Sequence, residues 1–228
     1  MIVHRDFQQG SVEWTQIRAG IPTASEFDNI LTPEFKIRTG QMPQTYLAKK
    51  LSEAWLGGSL AEFTTFDVEQ GRILEDEAIP WYELNFDEPV ERVGFITTDD
   101  KKAGCSPDGL ISDGGIEIKC PAVHTHVGYL LAGELPKDYA CQVHGSMWVT
   151  GAPWWKFCSY RRRLPPLVLT IFRDDDIQKK IADALAGFLE RFDAGWKRLV
   201  EMNGGREPAR PKLSPIPPQQ QNDDVPIP

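Results

Sequence analysis

The segment from Gly104 to Pro121, G-C-S-P-D-G-L-I-S-D-G-G-I-E-I-K-C-P, contains the most specific pattern in this chain. Its Asp-Gly and Gly-Gly pairs at 113–115 are typical of a tight turn between antiparallel strands. The residues after the turn alternate with the period of a strand, which places Glu117 and Lys119 on the same face. Folding of this hairpin would bring Asp108 back towards Glu117.

Two carboxylates and an ammonium group on one sheet surface form a chemically specific combination. The carboxylate oxygens of Asp108 and Glu117 suit Mg²⁺ or Mn²⁺, ions that keep several waters and are completed by phosphate oxygens of a substrate. Lys119 beside such an ion could orient an attacking water or offset negative charge on a phosphate. The alternative is a surface hairpin with a Glu/Lys face, because Glu-x-Lys triplets are common by chance. The upstream Pro107-Asp108 pair favours the metal site.

Several motifs around this hairpin match a known family. Pro107-Asp108 followed by Glu117-Ile118-Lys119 gives the pattern of the PD-(D/E)xK nuclease superfamily. The wider motifs resemble the YqaJ-like viral recombinase family, the family of the phage lambda exonuclease; they are C-S-P-D-G-L at 105–110, E-x-K-C-P at 117–121 and Q-V-x-x-S-M-W-V-T at 142–150. The resemblance runs from about Trp14 to the last helix. It implies an α/β fold in which a central mixed sheet, flanked by helices, carries the metal site.

The resemblance also implies roles for individual residues of the metal site. Asp108, Glu117 and the Ile118 carbonyl would hold one Mg²⁺, with Mn²⁺ as the alternative ion. Glu75 and Asp108 would help to hold a second ion, and Lys119 would position the attacking water. Glu75 belongs to an acidic run in a predicted helix, and the family motif G-x-x-x-E selects it from that run.

A second set of motifs implies a phosphate site. W-x-x-x-R-x-G at 14–20, followed by T-A-S-E at 23–26, matches the family segment that holds the 5′-phosphate of the substrate. A helix N-terminus near an arginine suits this role because free backbone N–H groups and positive charge converge there. The resemblance assigns the terminal phosphate to Arg18, Ser25, Ser106 and Gln142. Arg38, in a loop that ends Arg-Thr-Gly, would contact the DNA strand near the active site.

Hydrophobic periodicity predicts alternating helices and strands. Helices are predicted over 11–18, 43–56, 65–84, 125–131 and 136–148, and from Ile177 to the Gly204-Gly205 pair. Beside the central hairpin, strands are predicted over 90–97, 154–160 and 167–172. Thr23 and Glu26 have the spacing of a capping box, which predicts a further helix through Leu31.

The length of 228 residues fits one domain, and we assign residues 1–203 to the exonuclease domain. Residues 204–228 contain seven prolines and a glutamine run, a composition that predicts an extended tail. The sequence has no signal peptide and no apolar run that could span a bilayer, which favours a reducing cytoplasm and free thiols for the four cysteines.

The net charge of −8 argues against loose, non-specific adhesion to nucleic acid. A nuclease remains compatible with it, because bound divalent metal and local basic clusters can hold phosphates. For each candidate cluster a solvated face is favoured over a DNA contact; the clusters are Lys36/Arg38, Lys49/Lys50, Lys101/Lys102 and Arg161-Arg162-Arg163. The arginine triplet is the densest of them.

The patterns and the resemblance together predict a Mg²⁺-dependent 5′→3′ exonuclease. It would degrade one strand of linear double-stranded DNA, release 5′-mononucleotides and leave a 3′ single-stranded overhang for recombination by annealing. The resemblance further implies a ring-shaped homotrimer, a single-strand annealing recombinase as partner, and a phage or prophage gene expressed in a bacterial cytoplasm. An endonuclease of the same superfamily and a non-catalytic DNA-binding module are the open alternatives.

Overall fold

The computed structural model of the chain describes residues 1–58 and 66–208, with side chains throughout except at 66–73. The helices are α1 (Val12–Arg18), a 3₁₀ helix (Ala24–Asn29), α2 (Gln41–Leu56), α3 (Phe66–Phe86), α4 (Val123–Ala132), α5 (Lys137–Thr150) and α6 (Asp175–Met202). The strands are β1 (Ile2–His4), β2 (Phe95–Thr97), β3 (Gly104–Cys105), β4 (Gly109–Ile111), β5 (Gly114–Lys119), β6 (Trp154–Ser159) and β7 (Leu167–Phe172). Among the described residues, no helix is long and apolar enough to cross a lipid bilayer.

The strands form two sheets, with the orders β1-β2-β3 and β4-β5-β6-β7. All pairs are antiparallel except β5 and β6, which are parallel. A parallel pair needs a crossover connection, and α4 and α5 supply it. The predicted fold class, a mixed sheet flanked by helices, is therefore confirmed.

The central hairpin forms as predicted, but its two glycines are needed for packing against β6 rather than for the turn. The turn is Ser112-Asp113, with Ser112 at φ +51°, whereas Gly114 and Gly115 lie inside β5. A Cβ atom on Gly114 would lie 2.5 Å from Cδ2 of Trp154, and one on Gly115 would lie 2.4 Å from Cη2 of Trp155. These glycines are required because two tryptophans of β6 approach the backbone closely.

Two chain segments pass from one sheet to the other at the same place. Glu91 bridges to Leu110 beside the second sheet, whereas β2 belongs to the first. The predicted strand over 90–97 is therefore wrong in length, because its first half crosses between the sheets. Residues 106–108 likewise separate β3 from β4, and this break leaves Asp108 beside β5.

Helix α5 is the most deeply buried helix of the site. It packs against the 3₁₀ helix, the first sheet and α6, and also against β6 of the second sheet. Val143 and Met147 of α5 form a fully buried cluster with Trp155 and Phe157 of β6. The hairpin therefore lies over a rigid base that α5 and β6 form together.

One local prediction at a helix start needs correction. Thr23 does not cap a backbone N–H group, because its hydroxyl binds other side chains. The segment after Thr23 is the 3₁₀ helix rather than the predicted helix through Leu31. Helix α3 continues through Pro80. Helix α6 ends as predicted before Gly204 and Gly205, both at positive φ, and the tail beyond residue 208 lies outside the described residues.

Candidate active site

Four side chains and one backbone group meet at the end of the hairpin. A carboxylate oxygen of Asp108, Oδ2, accepts a hydrogen bond of 2.5 Å from the backbone N–H of Ile118. Lys119 Nζ forms an ion pair with Glu117 Oε1. Gln142 Nε2, on α5, donates to the same Glu117 oxygen at 2.5 Å. The predicted meeting of Asp108, Glu117 and Lys119 therefore occurs in the structure.

Burial dominates the electrostatics of this site. It raises the pKa of Glu117 to about 8, against the opposing charge of Lys119 and with the support of the Asp108 charge. Burial also raises the pKa of Asp108, although Lys119 opposes the shift. For Lys119 burial favours the neutral amine, but the carboxylates of Glu117 and Asp108 outweigh burial and raise its pKa. Glu117 is buried and Asp108 partly buried, and a cation bound between them would favour the charged form of both carboxyl groups.

The donor atoms are of the kind that a hydrated divalent cation takes. Glu117 Oε2 is buried and has no hydrogen-bond partner among the described residues, so one hard oxygen is available to a ligand. Asp108 and the Ile118 carbonyl would complete a protein donor set of oxygens alone, as Mg²⁺ prefers, with waters in the remaining positions. Within residues 1–58 and 74–208, no three His, Cys, Asp or Glu side chains are close enough to form a ready-made cage. The site therefore suits an ion that keeps much of its water.

Glu75 approaches this site from α3, which packs against β5. Its charge raises the pKa of Glu117, and together with burial it contributes to the raised pKa of Cys120, about 12. The other two carboxylates of the acidic run, Asp76 and Glu77, form ion pairs with Arg92 and Arg162. Glu75 is thus the member of the run whose charge acts on the hairpin.

A second group of polar side chains, which we call the Arg18 cluster, contains Trp14, Arg18, Thr23, Ser25 and Ser106. Arg18 donates from Nη1 to Ser106 Oγ at 3.1 Å and from Nη2 to Thr23 Oγ1 at 3.4 Å. Trp14 Nε1 donates to Ser106 Oγ at 2.9 Å, and the guanidinium lies 3.9 Å above the Trp14 ring. The hydroxyls of Thr23 and Ser25 are 3.3 Å apart. The structure thus brings Arg18, Ser25 and Ser106 together.

The Arg18 cluster and the carboxylates are joined through the break between β3 and β4. Ser106 belongs to the cluster, and Asp108 follows it by two residues. Gln9 Nε2 supports the break by donating to the carbonyls of Pro107, at 2.7 Å, and Val93, at 3.1 Å. Sequence reasoning missed Gln9, for which no local pattern exists. It also missed the contacts of Trp14, which its i, i+4 spacing to Arg18 on α1 could have indicated.

Two predicted substrate residues lie outside the Arg18 cluster. Gln142 is bound to Glu117, on the carboxylate side of the site. Arg38 donates from Nε to the carbonyls of Asp28, at 2.5 Å, and Leu31, at 2.9 Å, and thereby braces the loop after the 3₁₀ helix.

In the candidate basic clusters some side chains bind other groups of the protein, whereas Lys36, Lys101, Lys102 and Arg163 are exposed. Lys50 is buried between carboxylates. In the arginine triplet, Arg161 Nε donates to the Pro121 carbonyl at 2.5 Å and Arg162 binds Glu77. These side chains therefore have structural partners.

Comparison with known proteins agrees with this geometry. A sequence model described as the YqaJ-like viral recombinase domain matches residues 13–153, which include the Arg18 cluster, Glu75, the hairpin and Gln142. The chain belongs to the YqaJ-like viral recombinase family. The family predicted from the motifs is thus confirmed.

Solved structures extend this YqaJ-like match along the chain. The crystal structure of LHK-Exo in complex with dAMP is 30% identical, covers 86% of this chain and 99% of its own, and has a TM-score of 0.77. A second crystal structure, of the alkaline exonuclease LHK-Exo from Laribacter hongkongensis, has the same identity and coverage and a TM-score of 0.76. A phage-related exonuclease from Haemophilus somnus 129PT, at 14% identity and a TM-score of 0.57, covers 80% of this chain and 96% of its own and shares the fold. No curated protein sequence matches.

Family and neighbours together support a nuclease, a hydrolase of the phage recombination type with DNA as its substrate. Nucleases of this kind typically use divalent metals, in agreement with the oxygen donors of the hairpin.

Proposed function

We propose that this YqaJ-like nuclease is a Mg²⁺-dependent 5′→3′ exonuclease. It would degrade one strand of linear double-stranded DNA, release 5′-mononucleotides and leave a 3′ single-stranded overhang for annealing. The observation that carries the proposal is the junction at 106–108, where Ser106 of the Arg18 cluster is two residues from Asp108, the partner carboxylate of the buried Glu117.

The Arg18 cluster would hold the terminal 5′-phosphate and so set the polarity of digestion. A terminal phosphate has a second ionisation near pH 6 and so carries more charge than an internal phosphodiester. Arg18 meets it in a largely buried position, where charge interacts more strongly than in water. The Ser25 and Ser106 hydroxyls supply further donors around the guanidinium. Recognition of this end would register the first scissile bond at the carboxylates.

The carboxylate side would carry the chemistry. Magnesium held by Asp108, Glu117 and the Ile118 carbonyl, with a second ion supported by Glu75 and Asp108, would stabilise the attacking and leaving oxygens of an in-line displacement. The Lys119 side chain is 24% exposed and retains N–H donors beyond its ion pair with Glu117, so it can orient the attacking water.

Two further side chains would assist substrate binding. Gln142 donates one amide hydrogen to Glu117, and its second would reach the 5′-phosphate from the carboxylate side. Arg38 would contact the DNA strand from the loop that it braces.

Family membership also suggests an assembly. We propose a ring-shaped homotrimer that encircles DNA, a single-strand annealing recombinase as partner, and action in the cytoplasm of the bacterial host. Residues 1–203 would form the exonuclease domain and 204–228 an extended arm. Sedimentation equilibrium of the full chain would test the trimer, since a monomeric mass would contradict it.

The function can be tested by time-resolved digestion of linear duplex DNA with 5′-phosphate or 5′-hydroxyl ends in Mg²⁺. We expect rapid release of mononucleotides from phosphorylated ends and none after removal of metal by EDTA. Lys119→Ala should abolish release, whereas Lys156→Ala, on the neighbouring strand β6, should retain it. Digestion that persists in Lys119→Ala would contradict the catalytic assignment. Cleavage of closed circles would indicate an endonuclease, and metal-independent binding without products would indicate a binding module.

A further inference from the structure

A buried lysine lies beneath the Arg18 cluster. Lys50, on α2, is 3% exposed, and its Nζ is 2.6 Å from Glu26 Oε2 and 3.0 Å from Glu53 Oε2. Glu53 is itself only 2% exposed. Moving a buried ammonium away from its two carboxylates is costly, because water cannot reach these charges to replace the lost partner. The position of the Lys50 ammonium is therefore fixed.

Glu26 connects this lysine to the hydroxyl side of the cluster. Its Oε2 atom accepts hydrogen bonds from Thr23 Oγ1, at 3.2 Å, and from the Tyr46 hydroxyl, at 3.3 Å. Thr23 in turn contacts both Ser25 and Arg18. The position of Glu26 therefore determines where the hydroxyls lie.

Glu53 connects the same lysine to the arginine side. Its Oε2 atom accepts a hydrogen bond of 3.2 Å from the backbone N–H of Gly20, two residues after Arg18. Gly20 has φ +75°, and a Cβ atom there would lie 2.6 Å from Cβ of Ala54 on α2, so the chain after Arg18 is pressed against that helix. One ammonium group thus ties together the two sides of the cluster.

Lys49 provides a natural comparison. Its Nζ lies 3.0 Å from the other carboxylate oxygen of Glu26, but its side chain is 38% exposed. It binds the same carboxylate as Lys50, and Lys50 in addition forms an ion pair with Glu53, which accepts the hydrogen bond from Gly20. Replacing Lys49 therefore removes only a counter-charge for Glu26. Replacing Lys50 also removes the link between the arginine side and the hydroxyl side of the Arg18 cluster.

We propose that Lys50 is a positioning residue for recognition of the 5′-phosphate. It holds Arg18 at a set distance from the Thr23 and Ser25 hydroxyls, and through that spacing it determines how strongly the enzyme prefers a phosphorylated end. Lys50 is too deeply buried to touch DNA, so it acts only through these groups. The inference rests on the proposed function, in which the Arg18 cluster binds the terminal phosphate.

The test compares initial rates on matched linear duplexes with 5′-phosphate or 5′-hydroxyl ends, in Mg²⁺, for the full chain. We expect Lys50→Met to lower the ratio of the two rates about tenfold, because small displacements of binding groups are costly. Its rate on 5′-hydroxyl ends should stay within about twofold of the wild type, since the carboxylate site is untouched. Lys49→Met should keep the wild-type ratio. Arg18→Ala with Lys50→Met should lose no more preference than Arg18→Ala alone, because the spacing between Arg18 and the hydroxyls that Lys50 sets no longer exists without Arg18.

Lys50→Met leaves the buried Glu53 carboxylate without its cation, while Glu26 keeps Lys49, and the variant can fail to fold. The variant Lys50→Met/Glu53→Gln avoids this, because the glutamine is neutral and its Oε1 can still accept from Gly20. It should fold and show the same loss of preference. Equal loss on both kinds of end, or an unchanged ratio in this folded variant, would overturn the inference. A wild type without 5′-phosphate preference would instead overturn the proposed phosphate recognition, and this inference with it.

Discussion

Replacing Glu117 by glutamine should stabilise the metal-free protein in alkaline solution while it abolishes activity. Burial raises the pKa of Glu117 from 4.5 to about 8. Because the pKa is higher in the folded state, that state binds more protons between these values, and its stability falls as the pH rises through this window. Glutamine has nearly the same shape and carries no charge at any of these pH values. The stability of Glu117→Gln should therefore not fall as the pH rises through this window.

The size of the effect follows from the two pKa values of Glu117. The interval from 4.5 to about 8 corresponds to an upper limit of roughly 5 kcal/mol, at about 1.36 kcal/mol per pH unit. Relaxation of the site and penetration of water reduce the cost of a buried charge, so we expect about 2–4 kcal/mol. For a chain of this length, that difference raises the melting temperature of the variant by about 5–15 °C at pH 9. At pH 5 the two proteins should melt together, since Glu117 is then protonated.

Thermal unfolding in EDTA from pH 5 to pH 9 would measure this difference. Against burial, Glu117 and Asp108 raise the pKa of Lys119 above its ordinary value of 10.5, so its ammonium is present in the wild type throughout this range. In the glutamine variant Lys119 keeps Asp108 but loses the charge of Glu117, and this loss reduces the expected gain in stability. Glu190→Gln, at an exposed position of α6, is a matched control that should follow the wild type. Mg²⁺ should stabilise the wild type more than Glu117→Gln. Parallel melting profiles of wild type and Glu117→Gln across the pH range would refute the reasoning.

Three further changes have defined outcomes. Gln142→Glu would place a like charge against Glu117 and raise the pKa of Glu117 further. The acidic limb of the pH–activity profile should therefore move to higher pH by about one unit, and an unchanged limb would contradict this. Glu75→Gln should slow digestion at least about tenfold. The control Glu77→Gln loses an exposed ion pair and should digest DNA within about twofold of the wild-type rate. Equal rates for the two variants would show that Glu75 does not act in the site. Gly115→Ala would bring a Cβ atom within 2.4 Å of a buried tryptophan, so we expect a loss of about 1–3 kcal/mol in thermal unfolding, and an unchanged melting temperature would show that β6 can shift.

Local patterns predicted the regular elements well where one face of the element is buried. Helix α6 has its apolar stripe against the core and a buried Phe188, and its predicted and observed ends agree closely. The strand over 90–97 was predicted too long, because its pattern cannot show that the chain leaves one sheet for the other. Strand β1 was missed, since three residues are too few to show a period. The glycines of the hairpin were assigned to the turn because their tryptophan neighbours on β6 are distant in sequence.

The sequence by itself determined the family and the meeting of Asp108, Glu117 and Lys119, because these residues lie on one hairpin whose register is local. Only the tertiary structure decided that Arg18 contacts Ser106 and that Lys50 is buried. Contacts between residues far apart in the chain depend on which elements pack together, and no periodicity encodes them. The sequence alone indicates that the adjacent Lys49 and Lys50 of α2 are both solvated. The packing of other elements against α2 buries Lys50, while the Lys49 side chain stays 38% exposed.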